Sequence, residues 1–435
     1  MKRSPKNLRI TFSGKRLTHY GGLYLLQRFF QKIDLRSLLS QYMRFLQRNN
    51  QYSISEVMLA LIYPIALGLG RIETTHLLKY NGVFQYLTVL PSYPNPTTLR
   101  RFLLRMAPLA LPKLRKLHDR LLSAMILKPN PPTRVIFDLE STALPLYGKQ
   151  EIAHIGYNPQ KHSRPSYHPL LCFSGITKDF WHGELRPGDA HTATGVLDLL
   201  ETSFAKLPLS VKLVIIRADK GYYDHKTIEY LESKRALFTI VARLTRPCKR
   251  KLSALSYQIY SSGIETAEFM YQPMKWKKKY RFIVIRRPIP EDPTEQLTLF
   301  SIGKYSYQVI VTNMKLTSLN AWRFYNGRAS VELIIKELKG DYPLGKIPTK
   351  YFSANEAYFH ILLFSYNLIN WFKRLCLPEN FKNMTLRTLR SRLLLIAGEL
   401  IRTDNKPTLK LPGNFLYKDA FDYAIKKMDN LLSKP

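Results

Sequence analysis

The sequence predicts a mixed α/β protein: a sheet flanked by helices, with a β-rich insertion and a helical bundle ahead of it. Three observations carry that expectation. Two β-branched apolar runs, RVIFDLEST (134–142) and KLVIIRADKG (212–221), each end on acidic residues and are separated by a helical pattern. From Gly22 to Leu127 apolar residues recur at helical spacing. From 245 to 317, period-two segments such as YRFIVIRR and YQVIVTN follow basic runs.

Taken in order, LYLLQRFFQKI, SISEVMLALIYPIALGLG and the stretch 97–127 each place apolar residues on one helix face. Ser53 followed by Glu56 reads as a capping box that opens the second of these helices. PNPTTLRRFLLRM sets Arg100, Arg101 and Arg105 on an otherwise apolar helix. A helix-turn-helix-like element offering those arginines to DNA is the functional reading, and a merely solvated bundle surface is the plain one. The Pro-rich PNPPT (129–133) closes this first region, residues 1–130. Residues 1–20 read as a basic arm.

Next, Asp138 and Glu140 stand two apart in the first apolar run, so both point to one face of a strand. Like charges so placed repel unless a cation is near. A hairpin in PLLCFSGITKDFWHGELRPG and a helix in TATGVLDLLETSFAKL follow. The second run then ends on Asp219, before the helix HKTIEYLESKRA and the strand LFTIVARL. The order β-β-β-α-β-α-β, with carboxylates at two strand ends, describes an RNase H-like sheet, whose ligands gather at strand ends. It occupies 131–244 and resumes at 318–375; 376–435 reads as a C-terminal helical region for dimerisation or DNA contact.

The charge balance names a partner class. Against 31 Asp plus Glu stand 67 Lys plus Arg, a net of +36, which a compact fold tolerates best beside a polyanion. Double-stranded DNA is the expected partner. Within 245–317, Trp276 is flanked by Lys277, Lys278 and Lys279, which pairs a stacking surface with phosphate-binding charge. Cys172, Cys248 and Cys376 lack disulfide or zinc spacing, and MKRSPKNLRI lacks the apolar run of a signal peptide. Val57 to Gly70 is too short to span a bilayer. A soluble, cytoplasmic protein without membrane contact is expected.

In YNGRASVELIIKELK, Tyr325, Arg328, Glu332 and Lys339 fall at offsets 0, 3, 7 and 14. On one continuous helix they occupy a sector of roughly 60°, an acid between two bases with a phenol above. Asp138, Asp219 and Glu332 are then three carboxylates able to meet in an oxygen-rich site for Mg²⁺ or Mn²⁺. Two such ions roughly 4 Å apart activate a nucleophile and steady the leaving oxygen of a phosphoryl displacement.

DLEST (138–142), YGKQE (147–151), HPLL (168–171), LRPG (185–188), RADKG (217–221), Y-x2-R-x3-E-x6-K (325–339) and YNL (366–368) occur in order. In these motifs the chain resembles a DDE transposase of bacterial insertion sequences, of the subgroup with a Tyr-Arg-Glu-Lys signature and a β-strand insertion. The resemblance spans about residues 50–375. It implies that Asp138, Asp219 and Glu332 form the catalytic, metal-binding triad for two Mg²⁺ or Mn²⁺ ions. It implies that Tyr325, Arg328 and Lys339 hold the DNA end, and that Trp276 can receive a flipped base. It further implies cleavage at terminal inverted repeats, joining of 3′-ends to target DNA, a homodimer in a synaptic complex and a bacterial cytoplasm where the protein acts at the nucleoid. A catalytically silent, transposase-derived DNA-binding protein is the alternative. The family's first motif more often reads Asp-x-Asp, so Glu140 departs from it, and Lys220 stands where a small residue is common. Gln150, Glu151 and His168 are expected to order the hairpin, and Asn355 and Asn367 to make helix-packing hydrogen bonds.

Overall fold

The computed structural model describes residues 8, 10–12, 14–46, 51–156, 163–261, 263–289, 300–302 and 304–431. Residues 1–7, 9 and 13 of the expected N-terminal arm lie outside them, as do 290–299 of the insertion. The chain divides into two units, the residues up to Leu103 with those from Trp371 onward, and Leu104–Asn370. Both divisions fall within long helices, Pro96–Ile126 and Phe352–Cys376.

In the second unit, burial on both faces accounts for the unbroken apolar character of β1 (Arg134–Ser141), which lies inside a ten-stranded mixed sheet. The strands that follow are β2 (Leu170–Ser174), β3 (Phe180–Glu184), β4 (Leu213–Ala218) and β5 (Leu237–Val241). Their spatial order is β3-β2-β1-β4-β5. The first three are antiparallel neighbours, and β4 and β5 run parallel to β1, with Asp138 opposite Phe173 on one side and Arg217 on the other. This is the RNase H-like arrangement that the order of strands and helices predicts. Helices Val196–Ala205 and His225–Ser233 make the two crossovers that parallel pairing requires.

The insertion prolongs this sheet. Its strands β6 (Gln258–Ser261), β7 (Ile264–Tyr271), β8 (Tyr280–Pro288), β9 (Phe300–Ile302) and β10 (Tyr305–Thr312) continue it through β10, which pairs antiparallel with β5. The basic run RPCKRK is a helix, Arg246–Ser253, with Pro247 in its first turn, where a missing N–H costs nothing. Of the insertion's aromatics Tyr280 and Phe282 are buried, Tyr257, Phe269, Tyr271 and Trp276 are half-buried, and Tyr260 is exposed.

Two contacts fix the core around β1. Phe137 packs on Trp181 at 5.0 Å, and the Trp181 indole N–H donates to the Ser203 carbonyl at 3.0 Å, seating helix Val196–Ala205. Asn367 accepts from the Phe180 N–H (2.8 Å), donates to the Phe180 carbonyl (2.7 Å) and meets His118 Nε2 (2.7 Å). Asn367→Leu removes three buried hydrogen bonds and is expected to lower stability by about 3 kcal/mol in urea unfolding. An unchanged midpoint would contradict that account.

The first unit is helical apart from one small sheet. The Ser53–Glu56 capping box forms, with Ser53 Oγ accepting from Glu56 N (3.3 Å) and Glu56 Oε2 from Ser53 N (2.8 Å). The expected C-terminal helix TLRTLRSRLLLIAGELIR needs correction. It ends at residue 394, and Gly398–Thr403 pairs with Leu17–Thr18 and with Lys406–Lys410 in a three-stranded sheet. The reason is the turn: Asp404 and Asn405 both take φ near +50°, the left-handed pair that closes a tight hairpin. Among the described residues no helix is long and apolar enough to cross a membrane.

Candidate active site

The site is assembled where β1 and β4 end side by side. Asp138 is 1% exposed, and both of its oxygens are taken by Arg217: Nε to Oδ1 at 2.6 Å and Nη2 to Oδ2 at 2.7 Å. Burial pushes the Asp138 carboxyl up, and the Arg217 bonds oppose that push. The third arm of Arg217, Nη1, reaches the Phe324 carbonyl at 3.0 Å. Two glycines make this possible. A Cβ on Gly175 would stand 2.6 Å from Arg217 Nη2, and one on Gly327 would overlap Arg217 Nη1.

Two residues further along both strands the chemistry changes. Glu140 Oε2 accepts from Arg328 Nη2 at 2.5 Å. Asp219 follows β4 and caps the turn Lys220–Tyr222, its Oδ1 accepting from Gly221 N at 2.8 Å. Asp219 Oδ2 lies 4.0 Å from Arg328 Nη2, and Glu332 Oε1 lies 3.0 Å from Arg328 Nη1. Three carboxylates from three separate elements therefore surround one guanidinium. Glu140 and Arg328 are buried, whereas the side chains of Asp219 and Glu332 are 38% and 64% exposed, so the cluster opens to solvent on their side. Burial pushes Glu140 up to about 7, against the pull of Arg328 and with a further push from Asp219. Burial lowers the Arg328 guanidinium, but Glu140, Tyr325, Asp219 and Glu332 together raise it above its ordinary value.

Of the residues expected to form a metal triad, the structure brings Asp219 and Glu332 to one cation and engages Asp138 with Arg217 instead. Glu140 occupies the third place around that cation. Among the described residues no group of three His, Cys, Asp or Glu is drawn together tightly enough to hold a metal, because the guanidinium spaces the carboxylates. The donor set nevertheless suits a hard divalent cation: three carboxylates converge on one centre, and Arg328 Nε is buried there without a partner.

The stretch 325–339 is two helices and not one. Ser318–Asn326 ends at Tyr325–Asn326, a tight turn of i→i−3 bonds crosses Gly327 and Arg328, and Ala329–Gly340 begins. Arg217 claims the Phe324 carbonyl that Arg328 N would take in an uninterrupted helix. Tyr325 is buried, and burial pushes its phenol up to about 12. Lys339 donates to the Ala143 carbonyl, just past β1, at 3.0 Å.

A loop after β3 backs the site. Buried Arg186 donates through Nε to the His168 carbonyl (3.0 Å) and through Nη1 to His191 (3.3 Å) and Thr194 carbonyls, while His168 Nδ1 meets the Ala190 carbonyl (3.1 Å). Thr192 of that loop lies where a Cβ on Gly221 would be, at 2.7 Å, so the loop braces the turn that carries Asp219. Glu151 Oε2 accepts from Phe352 N at 2.9 Å, tying its loop to the start of helix Phe352–Cys376, and Gln150 accepts from Gly148 N at 3.2 Å within its own loop.

Trp276 is half-buried against Tyr223 (5.0 Å) and His225 (5.4 Å), with Tyr280 edge-on at 5.3 Å. Lys277 pairs with Glu229 (2.7 Å) and Lys278 with Glu232 (2.8 Å), while Lys279 is exposed. Arg101 and Arg105 are exposed, and Arg100 is half-buried and paired with Glu73.

Arg217 and Arg186 escaped the sequence reading. Arg217 was findable: an arginine within a buried β-run, aligned with Asp138 by parallel pairing, demands a carboxylate partner. Arg186 stands in the LRPG motif, but its partners are carbonyls, so no charge pairing announced its role.

The family pattern described as Transposase DDE domain group 1 matches residues 2–433. No curated protein matches the chain. Among solved structures, it is similar to a cryo-EM structure of the piggyBac transposase synaptic complex with hairpin DNA, at 13% identity and a TM-score of 0.42, over 95% of this chain and 85% of that one. With a family pattern running over nearly its whole length, this chain belongs to the DDE transposases.

Proposed function

We propose that the protein is an active, metal-dependent transposase that cleaves DNA at the terminal inverted repeats of a bacterial insertion sequence and joins the 3′-ends to target DNA. The observation that carries this reading is the convergence of Glu140, Asp219 and Glu332 on one cation at a solvent-open strand end. We assign these three as the ligands, with Glu140 in place of Asp138, whose oxygens are committed to Arg217.

Mg²⁺ or Mn²⁺, when bound, supplies the Lewis acidity for in-line phosphoryl displacement, two ions being the expected number. The chain's residues do the rest. Glu140 is fixed within a strand and Asp219 by its own turn, so both are rigid donors, while Glu332 is carried on a helix face. Arg328 and Lys339 hold the phosphates of the DNA end, a fork and a point charge respectively, and the Tyr325 phenol stays protonated at neutral pH to donate a hydrogen bond. Lys279 with Lys277, Lys278 and Trp276, and Arg100, Arg101 and Arg105, extend the DNA contact along the net positive chain. Two copies pair two ends, acting at the nucleoid.

The test uses purified protein and a labelled duplex carrying the repeats that flank its gene, with Mg²⁺ or EDTA. Metal-dependent cuts at the repeat ends, lost in Glu332→Ala, are expected. Tight binding without cutting under any divalent metal would instead identify a silent DNA-binding derivative.

A further inference from the structure

Arg217 and Arg328 are both buried arginines beside carboxylates, yet they are seated differently. Arg217 is saturated: two bonds to one carboxylate, one to a carbonyl, and the Phe324 ring 5.3 Å away. Arg328 divides two bonds between two carboxylates, stands 4.0 Å from a third, and leaves Nε buried with no partner. It also sits at the joint between two helices, where the backbone pairing changes. Arg217 is a strut. Arg328 is held by charge and incompletely bonded.

We propose that Arg328 is an internal counter-ion that must leave the three carboxylates before metal enters, and that a DNA phosphate draws it away, so metal loading is coupled to capture of a DNA end. This rests on the reading of Glu140, Asp219 and Glu332 as metal ligands. A guanidinium between three carboxylates and a divalent ion on the same oxygens repel each other, so the two states exclude one another. A phosphate offers Arg328 the bidentate partner that the carboxylate cluster denies it. Exclusion and exchange together make the coupling reciprocal: DNA tightens metal binding, and metal tightens DNA binding. The device keeps the chain from acting as a nuclease on metal alone.

The experiment is Mn²⁺ binding by electron paramagnetic resonance, for wild type and Arg328→Gln, with and without a duplex ending in the flanking repeat. Without DNA, Arg328→Gln is expected to bind Mn²⁺ roughly tenfold or more tightly than wild type. DNA is expected to tighten wild type by roughly tenfold and Arg328→Gln by under about threefold. Equal affinities without DNA would overturn the proposal. Glu332→Gln in both backgrounds separates the two levels: if it leaves Mn²⁺ binding unchanged, the ligand reading fails, and if it weakens binding while Arg328→Gln does not strengthen it, the coupling alone fails. Should Arg328→Gln not fold, wild type carries the test, since an Mn²⁺ affinity indifferent to DNA also overturns the coupling.

Discussion

Glu140→Gln is expected to reduce metal-dependent DNA cleavage by at least about a thousandfold, roughly 4 kcal/mol of lost transition-state stabilisation, with DNA affinity nearly intact. The neutral amide keeps the shape of the side chain and one bond to Arg328 but removes the charge a divalent ion needs. Asp138→Asn should behave in the opposite way. Its carboxylate is closed off by Arg217, so losing the charge strands a buried guanidinium and is expected to cost about 3–5 kcal/mol of stability. Cleavage per folded molecule should then fall less than in Glu140→Gln. Urea unfolding and a cleavage assay on the same two proteins decide the matter. An inactive Asp138→Asn of wild-type stability beside an active Glu140→Gln would return the metal to Asp138.

Our assignment of Glu140 in place of the Asp138 expected from sequence has a physical basis. Alternation in a strand places both acids on one face but says nothing about which one lies beyond the cover of the neighbouring strand. That depends on the register of β1 against β4, set by residues about 80 positions away, which puts Arg217 opposite Asp138 and leaves Glu140 level with Asp219. What local chemistry dictates was readable: the capping box at Ser53, the strand runs, the crossover helices and the acidic strand ends. The single helix expected over 325–339 failed for a non-local reason, because Arg217 competes for the Phe324 carbonyl. The hairpin at 398–410 was legible in principle, since Asp404–Asn405 is a left-handed turn signal, but the apolar run before it mimics a helix.

Acid should unfold this protein well before its carboxylates alone would require, because the buried His118 and His360 and the half-buried His182 are held neutral in one network. Arg115 donates to His360 Nε2 (3.2 Å) and pairs with Glu356 (2.8 Å), Asn367 meets His118 Nε2, and Lys206 meets His182 Nδ1 (3.2 Å) and Asp119 (2.7 Å). Each imidazole nitrogen so contacted must accept, which only the neutral ring can do. Burial, reinforced by Lys206 and by its neighbours, pushes His118 and His182 down to about 3, and His360 falls as well, with Arg115 adding to burial. Folded values below the unfolded one of roughly 6.5 mean that the unfolded chain takes up protons first, so the stabilisation is complete above pH 6.5 and drains as pH falls toward 3. At pH 5 His118 and His182 are each expected to have lost about 2 kcal/mol relative to pH 7.5, and His360 adds in the same direction. Asp119 and Glu356 face the same network, and burial raises both, which favours their protonation in the folded state and offsets part of that loss. The net expectation is a loss of stability between pH 7.5 and pH 5 that is smaller than the histidines alone would give. Other groups titrate over that range too, so the decisive quantity is a difference: His118→Gln should shrink the loss between pH 7.5 and pH 5 by about 2 kcal/mol in urea unfolding. A variant with the same pH slope as wild type would show that His118 is not held neutral by the fold.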